Sequence, residues 1–410
     1  MHGGVHVNSN CLRFCGKSLN VNCFAFSRYK FSGCRQPKNK IVKSTMEKTI
    51  RVIEHGIAQG DHLGAQLHVM IDGNCVADLA IGQSRPGVRL HSDDLLPWMS
   101  AGKPIAAVAM GQLVERGQLA FDDRVEKFIP EFGVGGKAPI TVRHVLTHTG
   151  GFRLVSNNWS PEPWERIIER ICASKLEPGW VPGEKAGYHV ASGWFILGEL
   201  VRRIDGRTFD RYVREEICQP LEMRDTWIGM PSSQFQAYGG FEGRIAPMYS
   251  TDHQPPQIKE MVNTEAGCTQ CRPGANARGP IRELGRFYQM LLNGGEFGGR
   301  RILGEAIVRE IVTRQRGGLF DETFRHVIDW GLGVLVNSRH YGDDALPYGF
   351  GPYASDDSFG HGGNQSSCGM VDPDCRLVLT WVCNGMPGEA RHDARVRAIN
   401  AAVYEDLGFV

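Results

Sequence analysis

The sequence predicts an α+β protein in which an antiparallel sheet draws strands from both ends of the chain and a mainly helical region is inserted between them. Two strand-turn-strand patterns and the helical periodicity separating them carry that expectation. Near the start, Ala65–Ile71 and Cys75–Ile81 flank Asp72-Gly73, a dipeptide suited to a tight hairpin turn. Near the end, Gly369–Val371 and Leu377–Cys383 flank Asp372-Pro373-Asp374. Strands at both termini with helices and loops between them favour one sheet closed by the two ends.

Each further element has its own signal. Residues 47–57 place Ile50, Ile53 and Ile57 on one helical stripe. A helix is predicted over 104–116, with Ile105, Val108 and Leu113 inward, Pro104 in the first turn and Gly117 as its stop. Residues 130–190 are rich in Pro, Gly and Trp and predict only short helical stretches. A longer helix is predicted over 193–205, from Ile196, Leu197, Leu200, Val201 and Ile204, with Gly206 ending it. The polar, weakly periodic stretch 227–279 reads as long loops. From Pro280, Ile281, Leu284, Phe287 and Leu291 mark another helix, ended by Asn293-Gly294-Gly295. A last helix over 393–407 carries Val396, Ile399 and Val403. The expected division is a sheet portion from 46–99 and 280–410 and a mainly helical portion over 100–279.

Composition bounds the function. With 41% hydrophobic and 22% charged residues, the 410-residue chain is an ordinary globular protein large enough for a sizeable core. Its longest apolar runs are too short to span a bilayer, so no membrane span is predicted. Residues 1–45 hold eight Lys or Arg and no Asp or Glu, leaving 38 basic against 45 acidic residues in the rest. That mildly acidic body argues against nucleic acid as a partner. The basic stretch is expected to be disordered, as an organelle transit peptide or an upstream translated segment with Met46 as the start. The eight cysteines that follow residue 45 show no disulfide-like pattern, which suggests reduced thiols and a cytoplasmic setting unless the leader directs the chain to an organelle. Cys268-Thr-Gln-Cys271 lacks the second pair a zinc site needs and reads as two thiols in a loop.

Three segments gather chemistry. In Trp98-Met99-Ser100-Ala101-Gly102-Lys103-Pro104, a serine and a lysine three residues apart at a helix start share one face. A serine hydroxyl needs a neighbouring base, and a lysine serves when its pKa is pulled down from about 10.4. Tyr188 stands at a loop-to-helix junction, where its phenol can face a cleft and, beside a lysine, ionise at modest cost. In Phe359-Gly360-His361-Gly362-Gly363-Asn364, glycines around a histidine before a strand let backbone approach a ligand.

In this order the three resemble the motifs S-x-x-K, Y-x-N and K-T-G or H-x-G of the superfamily of class C β-lactamases, DD-peptidases and family VIII esterases. They appear as Ser100–Lys103, Tyr188-His189-Val190 and His361-Gly362-Gly363. Leu146-Thr147-His148-Thr149-Gly150-Gly151 and Pro220-Leu221-Glu222-Met223-Arg224-Asp225-Thr226 are also similar to family segments, and the likeness runs from about 47 to 408.

The resemblance implies a β-lactamase/transpeptidase-like fold and an acyl-enzyme mechanism. Ser100 attacks a carbonyl of a small-molecule ester or amide, with Lys103 and Tyr188 sharing the proton. The backbone N–H groups of Ser100 and Asn364 form an oxyanion hole, and His361, Gly362 and Gly363 line the cleft. No metal or organic cofactor is implied. His144 and His148 lack the glutamate of H-E-x-x-H, and the resemblance assigns them to scaffold.

Two departures narrow the substrate. Val190 replaces the motif's Asn and offers no polar side chain, with His189 or Ser192 as possible substitutes. His361 replaces a Lys and carries no fixed charge at neutral pH. Both favour a carboxylesterase, with a D-amino-acid peptidase or amidase and a weak β-lactamase as alternatives. A reading of another class is a non-catalytic penicillin-binding or scaffold protein that keeps the fold.

Overall fold

The computed structural model describes residues 46–155, 161–342 and 347–410, so the basic leader lies outside the described residues. A first helix, α1 (Glu47–Ala58), leads into strands β1 (Gly64–Ile71), β2 (Asn74–Arg85) and β3 (Val88–Arg89). The chain then leaves the sheet for α2 (Pro104–Glu115), α3 (Ser192–Asp205) and α4 (Ile281–Leu292). It returns through β4 (Leu335–Val336), β5 (Phe359–Gly363), β6 (Ser367–Asp372) and β7 (Leu377–Cys383) and closes on α5 (Glu389–Asp406).

These strands form one seven-stranded sheet in the order β4-β5-β6-β7-β1-β2-β3, with every neighbouring pair antiparallel. The first and last long strands meet at its centre, Ala65 opposite Cys383 and Ile71 opposite Leu377. The β1–β2 turn uses positive φ at both Asp72 (50°) and Gly73 (78°), the geometry that matches a right-handed hairpin twist.

Both sheet faces are covered, and the two-residue period sorts the side chains between them. Leu67, Val69, Leu377, Leu379 and Trp381 pack with Ile53 of α1 and Val396, Ile399 and Val403 of α5. Val378 and Val382 pack the other way with Ile281, Leu284 and Phe287 of α4. Fully burying one such side chain contributes about 1.5–3 kcal/mol. The terminal helices are also tied end to end: Asp406 accepts the backbone N–H groups of Lys48 (3.1 Å) and Thr49 (2.9 Å), donors the first turn of α1 leaves unpaired.

Several elements differ from expectation. Helix α2 is buried on every side from Pro104 to Leu113 rather than along one stripe, because helices and sheet surround it. Helix α5 begins at Glu389, four residues before the expected start. Its first turns bury polar residues, His392 and Arg395, that an apolar stripe cannot mark. Within 227–279 the chain forms the short helices Ser232–Ala237 and Glu265–Thr269, each too brief to show a period. Cys268 therefore sits on a helix, although both it and Cys271 are free thiols. Cys75, Cys172, Cys218, Cys368 and Cys383 are free thiols as well. No helix among the described residues is long and apolar enough to cross a membrane.

Candidate active site

Ser100 lies on a single 3-10 turn, Met99–Gly102, just ahead of α2, so the S-x-x-K pair spans the junction rather than the helix. Met99 is held at φ 49°, a conformation that costs a non-glycine residue energy and persists only where its surroundings enforce it. They do so here. The Trp98 carbonyl accepts from Ser367 Oγ at 2.6 Å, the Trp98 indole donates to the Gly279 carbonyl at 2.9 Å, and Tyr288 donates to the Ala101 carbonyl at 3.2 Å. A Cβ on Gly102 would lie 2.4 Å from the Cβ of Ala277, so this turn admits only glycine there.

Lys103 is completely buried with no carboxylate beside it. Its Nζ lies 2.9 Å from Ser100 Oγ, 3.0 Å from the Val190 carbonyl, and against the carbonyl of Gly274. Burial drives its pKa well below that of a free lysine. A neutral amine has two N–H groups and one lone pair. The two carbonyls can only accept, so they take both N–H groups and leave the lone pair for the Ser100 hydroxyl.

Tyr188 reaches the same oxygen from another direction, its hydroxyl 3.0 Å from Ser100 Oγ. Burial raises its pKa, so it is held as a phenol, against the expectation that a neighbouring lysine would ease its ionisation. A neutral Lys103 offers no charge to do so. The Tyr188 ring packs between Phe324 and His148, with centroids at 4.8 and 4.7 Å.

The third motif forms β5 and abuts the nucleophile turn. A Cβ on Gly363 would come within 2.3 Å of the Trp98 carbonyl oxygen, and one on Gly362 within 2.5 Å of the Tyr348 ring. His361 is only 2% exposed, and its Nδ1 sits 2.6 Å from the Gly362 carbonyl. Burial pushes its pKa down to about 3, so it is neutral. Asn364 follows β5 in an exposed turn. Among the described residues, the backbone N–H groups of Ser100 and Asn364 donate to no acceptor.

The structure corrects the expected substitutes for the missing Asn. His189 Nε2 accepts from the N–H of Phe152 (3.3 Å) and Ser192 Oγ donates to the Phe152 carbonyl (2.9 Å), so both are buried scaffold. Val190 contributes through its backbone, while its side chain is 58% exposed. His144 and His148 do not converge on one point. His144 caps its own helix through Nδ1, and His148 Nδ1 accepts the N–H of His189 at 3.1 Å. No cluster of potential metal ligands exists among the described residues. The residues missed in the sequence, Gly274 and Val190 with their carbonyls, act through backbone atoms that no side-chain motif records.

Comparison with known proteins places the chain's family and fold. The chain is 28% identical over 350 residues to the Esterase/beta-lactamase LipL of Mycobacterium tuberculosis, a match covering 78% of this chain and 77% of that protein. A family VIII carboxylesterase superposes with a TM-score of 0.72 at 26% identity, covering 88% of this chain and 97% of the other. A penicillin-binding protein homolog from Caulobacter crescentus does so with a TM-score of 0.70 at 27% identity, covering 87% and 97%. The Beta-lactamase family model matches residues 49–404, and the chain belongs to that family.

Proposed function

We propose that this chain is a serine hydrolase of carboxylesterase type that works through an acyl-enzyme on Ser100. The observation that carries the reading is the convergence of two proton-handling groups on one hydroxyl: Lys103 Nζ at 2.9 Å and Tyr188 OH at 3.0 Å from Ser100 Oγ. Neutral Lys103 takes the hydroxyl proton as the oxygen attacks an ester carbonyl. The free N–H groups of Ser100 and Asn364 receive the developing oxyanion, an interaction whose loss typically costs about 100- to 1000-fold in rate. The Tyr188 phenol then gives the leaving alkoxide its proton and is replenished from Lys103. Water reverses these steps to release the acid. We also read 46–99 and 280–410 as the sheet portion and 100–279 as the helical portion between which the substrate lies.

An uncharged ester suits the site better than a carboxylate-bearing lactam. Lys103 and His361 are both neutral there, and Val190 supplies no amide to bind a peptide bond. The structural neighbour described as a family VIII carboxylesterase favours the same substrate class. The test is turnover of p-nitrophenyl butyrate, a chromogenic cephalosporin and a D-alanyl peptide by the purified chain. The butyrate ester is expected to be hydrolysed fastest, and Ser100→Ala to abolish it. Unchanged hydrolysis in that variant would overturn the mechanism. A stable acyl adduct without turnover would point instead to a penicillin-binding role.

A further inference from the structure

Tyr188 is held by a buried ion pair that no catalytic motif contains. Asp321 lies on a short hairpin formed by Phe320–Asp321 and His326–Val327, and its carboxylate is completely buried. Oδ1 accepts the backbone N–H of Tyr188 at 3.0 Å, together with those of Thr323 (2.9 Å) and Phe324 (3.0 Å). Oδ2 accepts from Nη2 of Arg316 at 3.0 Å. The same hairpin holds the other side of Tyr188, because Thr323 Oγ1 donates to the Tyr188 carbonyl at 3.1 Å and the Phe324 ring stacks beside the phenol. Arg316, itself buried, donates to the carbonyls of Ile328 (2.9 Å) and Thr147 (3.0 Å). Thr147 precedes His148, whose ring lies against Tyr188.

Oδ1 is thus shared between the Tyr188 backbone and the hairpin's own N–H groups, and Oδ2 is taken by Arg316, so the carboxylate joins the Tyr188 loop to the hairpin. A buried ion pair is weak evidence for stability, since well-packed apolar residues of similar volume often stabilise as much or more. What this pair supplies is orientation, and an error of about 1 Å in a reacting group can cost about 100-fold in rate. The geometry points to Asp321 as a positioning residue for Tyr188: it fixes the Tyr188 backbone so that the phenol meets Ser100 Oγ, and Arg316 fixes Asp321 in turn. This inference rests on the reading above, in which Tyr188 handles the proton of the reaction at Ser100.

A double-mutant cycle on the full chain tests it, with the pre-steady-state burst of p-nitrophenol from an ester reporting acylation. Tyr188→Phe and Asp321→Asn are each expected to slow acylation by about 100-fold while KM changes little. Their combination is expected to be no slower than Tyr188→Phe alone, because Asp321 acts through the phenol that variant lacks. Losses that multiply would show a general structural role and overturn the inference, as would wild-type acylation by Asp321→Asn. A wild-type burst from Tyr188→Phe, with Ser100→Ala inactive, would overturn the assigned role of Tyr188 and this inference with it. Should Asp321→Asn fail to fold because Arg316 is left unpaired, the neutral pair Arg316→Gln with Asp321→Asn replaces it in the cycle, with the same outcomes deciding.

Discussion

Arg395 donates to Nδ1 of His392 at 3.1 Å, a contact sealed beneath the sheet by α5. A guanidinium cannot accept a hydrogen bond, so that nitrogen carries its lone pair and the imidazole is neutral. The same guanidinium donates to Nδ1 of His62 at 3.2 Å. Its second amino group also donates to the carbonyl of Gln365 at 2.8 Å, beside the Asn364 turn. One buried cation therefore steadies the end of β5 and requires two uncharged histidines.

Acid lability follows. Burial, reinforced by the Arg395 charge, lowers His62 to about 3 and His392 well below 6.5. Burial likewise lowers His148 far below 6.5 and brings His189 and His361 to about 3. Below pH 6.5 the unfolded chain protonates these groups while the folded chain does not, so stability falls as pH falls. Each fully depressed histidine contributes about 1.4 kcal/mol per pH unit in that window. The expected result is a denaturation midpoint that still rises gently with pH above about pH 7.5, where Lys103 is protonated in the unfolded chain and neutral in the folded one, and that drops steeply between pH 6.5 and 5, read by chemical unfolding. A constant midpoint across that range would contradict the buried neutral assignment.

Lys103→Arg is expected to lose activity despite keeping a basic side chain. Arginine stays protonated even when buried, so it offers no lone pair to the Ser100 hydroxyl. A fall in kcat of about 100- to 10,000-fold is expected in steady-state ester hydrolysis. Activity within a few-fold of wild type would show that Lys103 is not the base.

Gly363→Ala is expected to disturb the site through sterics alone. Its Cβ would lie 2.3 Å from the Trp98 carbonyl oxygen, so the nucleophile turn or β5 must shift. Overpacking of this kind typically costs about 1–3 kcal/mol. Thermal unfolding and the acylation burst are expected to fall together, and an unchanged pair of values would refute the close approach.

Val190→Asn tests substrate choice. The side chain is exposed, and the carbonyl bound by Lys103 belongs to the backbone, so stability is expected to change by less than about 0.5 kcal/mol. A side-chain amide at the cleft edge adds a hydrogen bond worth about 0.5–1.5 kcal/mol to amide-bearing substrates. The ratio of kcat/KM for a D-alanyl peptide or cephalosporin to that for butyrate ester is expected to rise by up to about tenfold. An unchanged ratio would show that Val190 does not face the acyl group.

Much of this was legible before folding. The runs at 65–71 and 377–383 specify strands because alternate residues, Ala65, Leu67, Val69 and Ile71 in one and Leu377, Leu379, Trp381 and Cys383 in the other, are apolar. Asp72-Gly73 names its turn because few residues tolerate two successive positive φ values. Ser100, Lys103 and Tyr188 are readable as types because nucleophile, base and proton donor chemistry needs those side chains. Less was readable where function lies in the backbone or in buried polar groups. Helix α5 hid its first turns behind His392 and Arg395, and nothing in the residue at 274 or 190 announces a carbonyl aimed at Lys103.

The sequence alone determined the main strands and helices, the joining of both chain ends in one sheet, and the residue types able to perform acyl transfer, since these depend on local periodicity and side-chain type. Only the tertiary structure decided their protonation. Lys103 is neutral because the fold removes water and places only uncharged carbonyls and hydroxyls around it, and burial likewise holds Tyr188 as a phenol; desolvation is a property of the packed molecule. The same packing decided that Val190 works through its carbonyl, that His361 is buried, and that Asp321 and Arg316 hold Tyr188 from far along the chain. The Val190–Lys103 and Tyr188–Asp321 relations join residues 87 and 133 positions apart, distances across which no local pattern carries information.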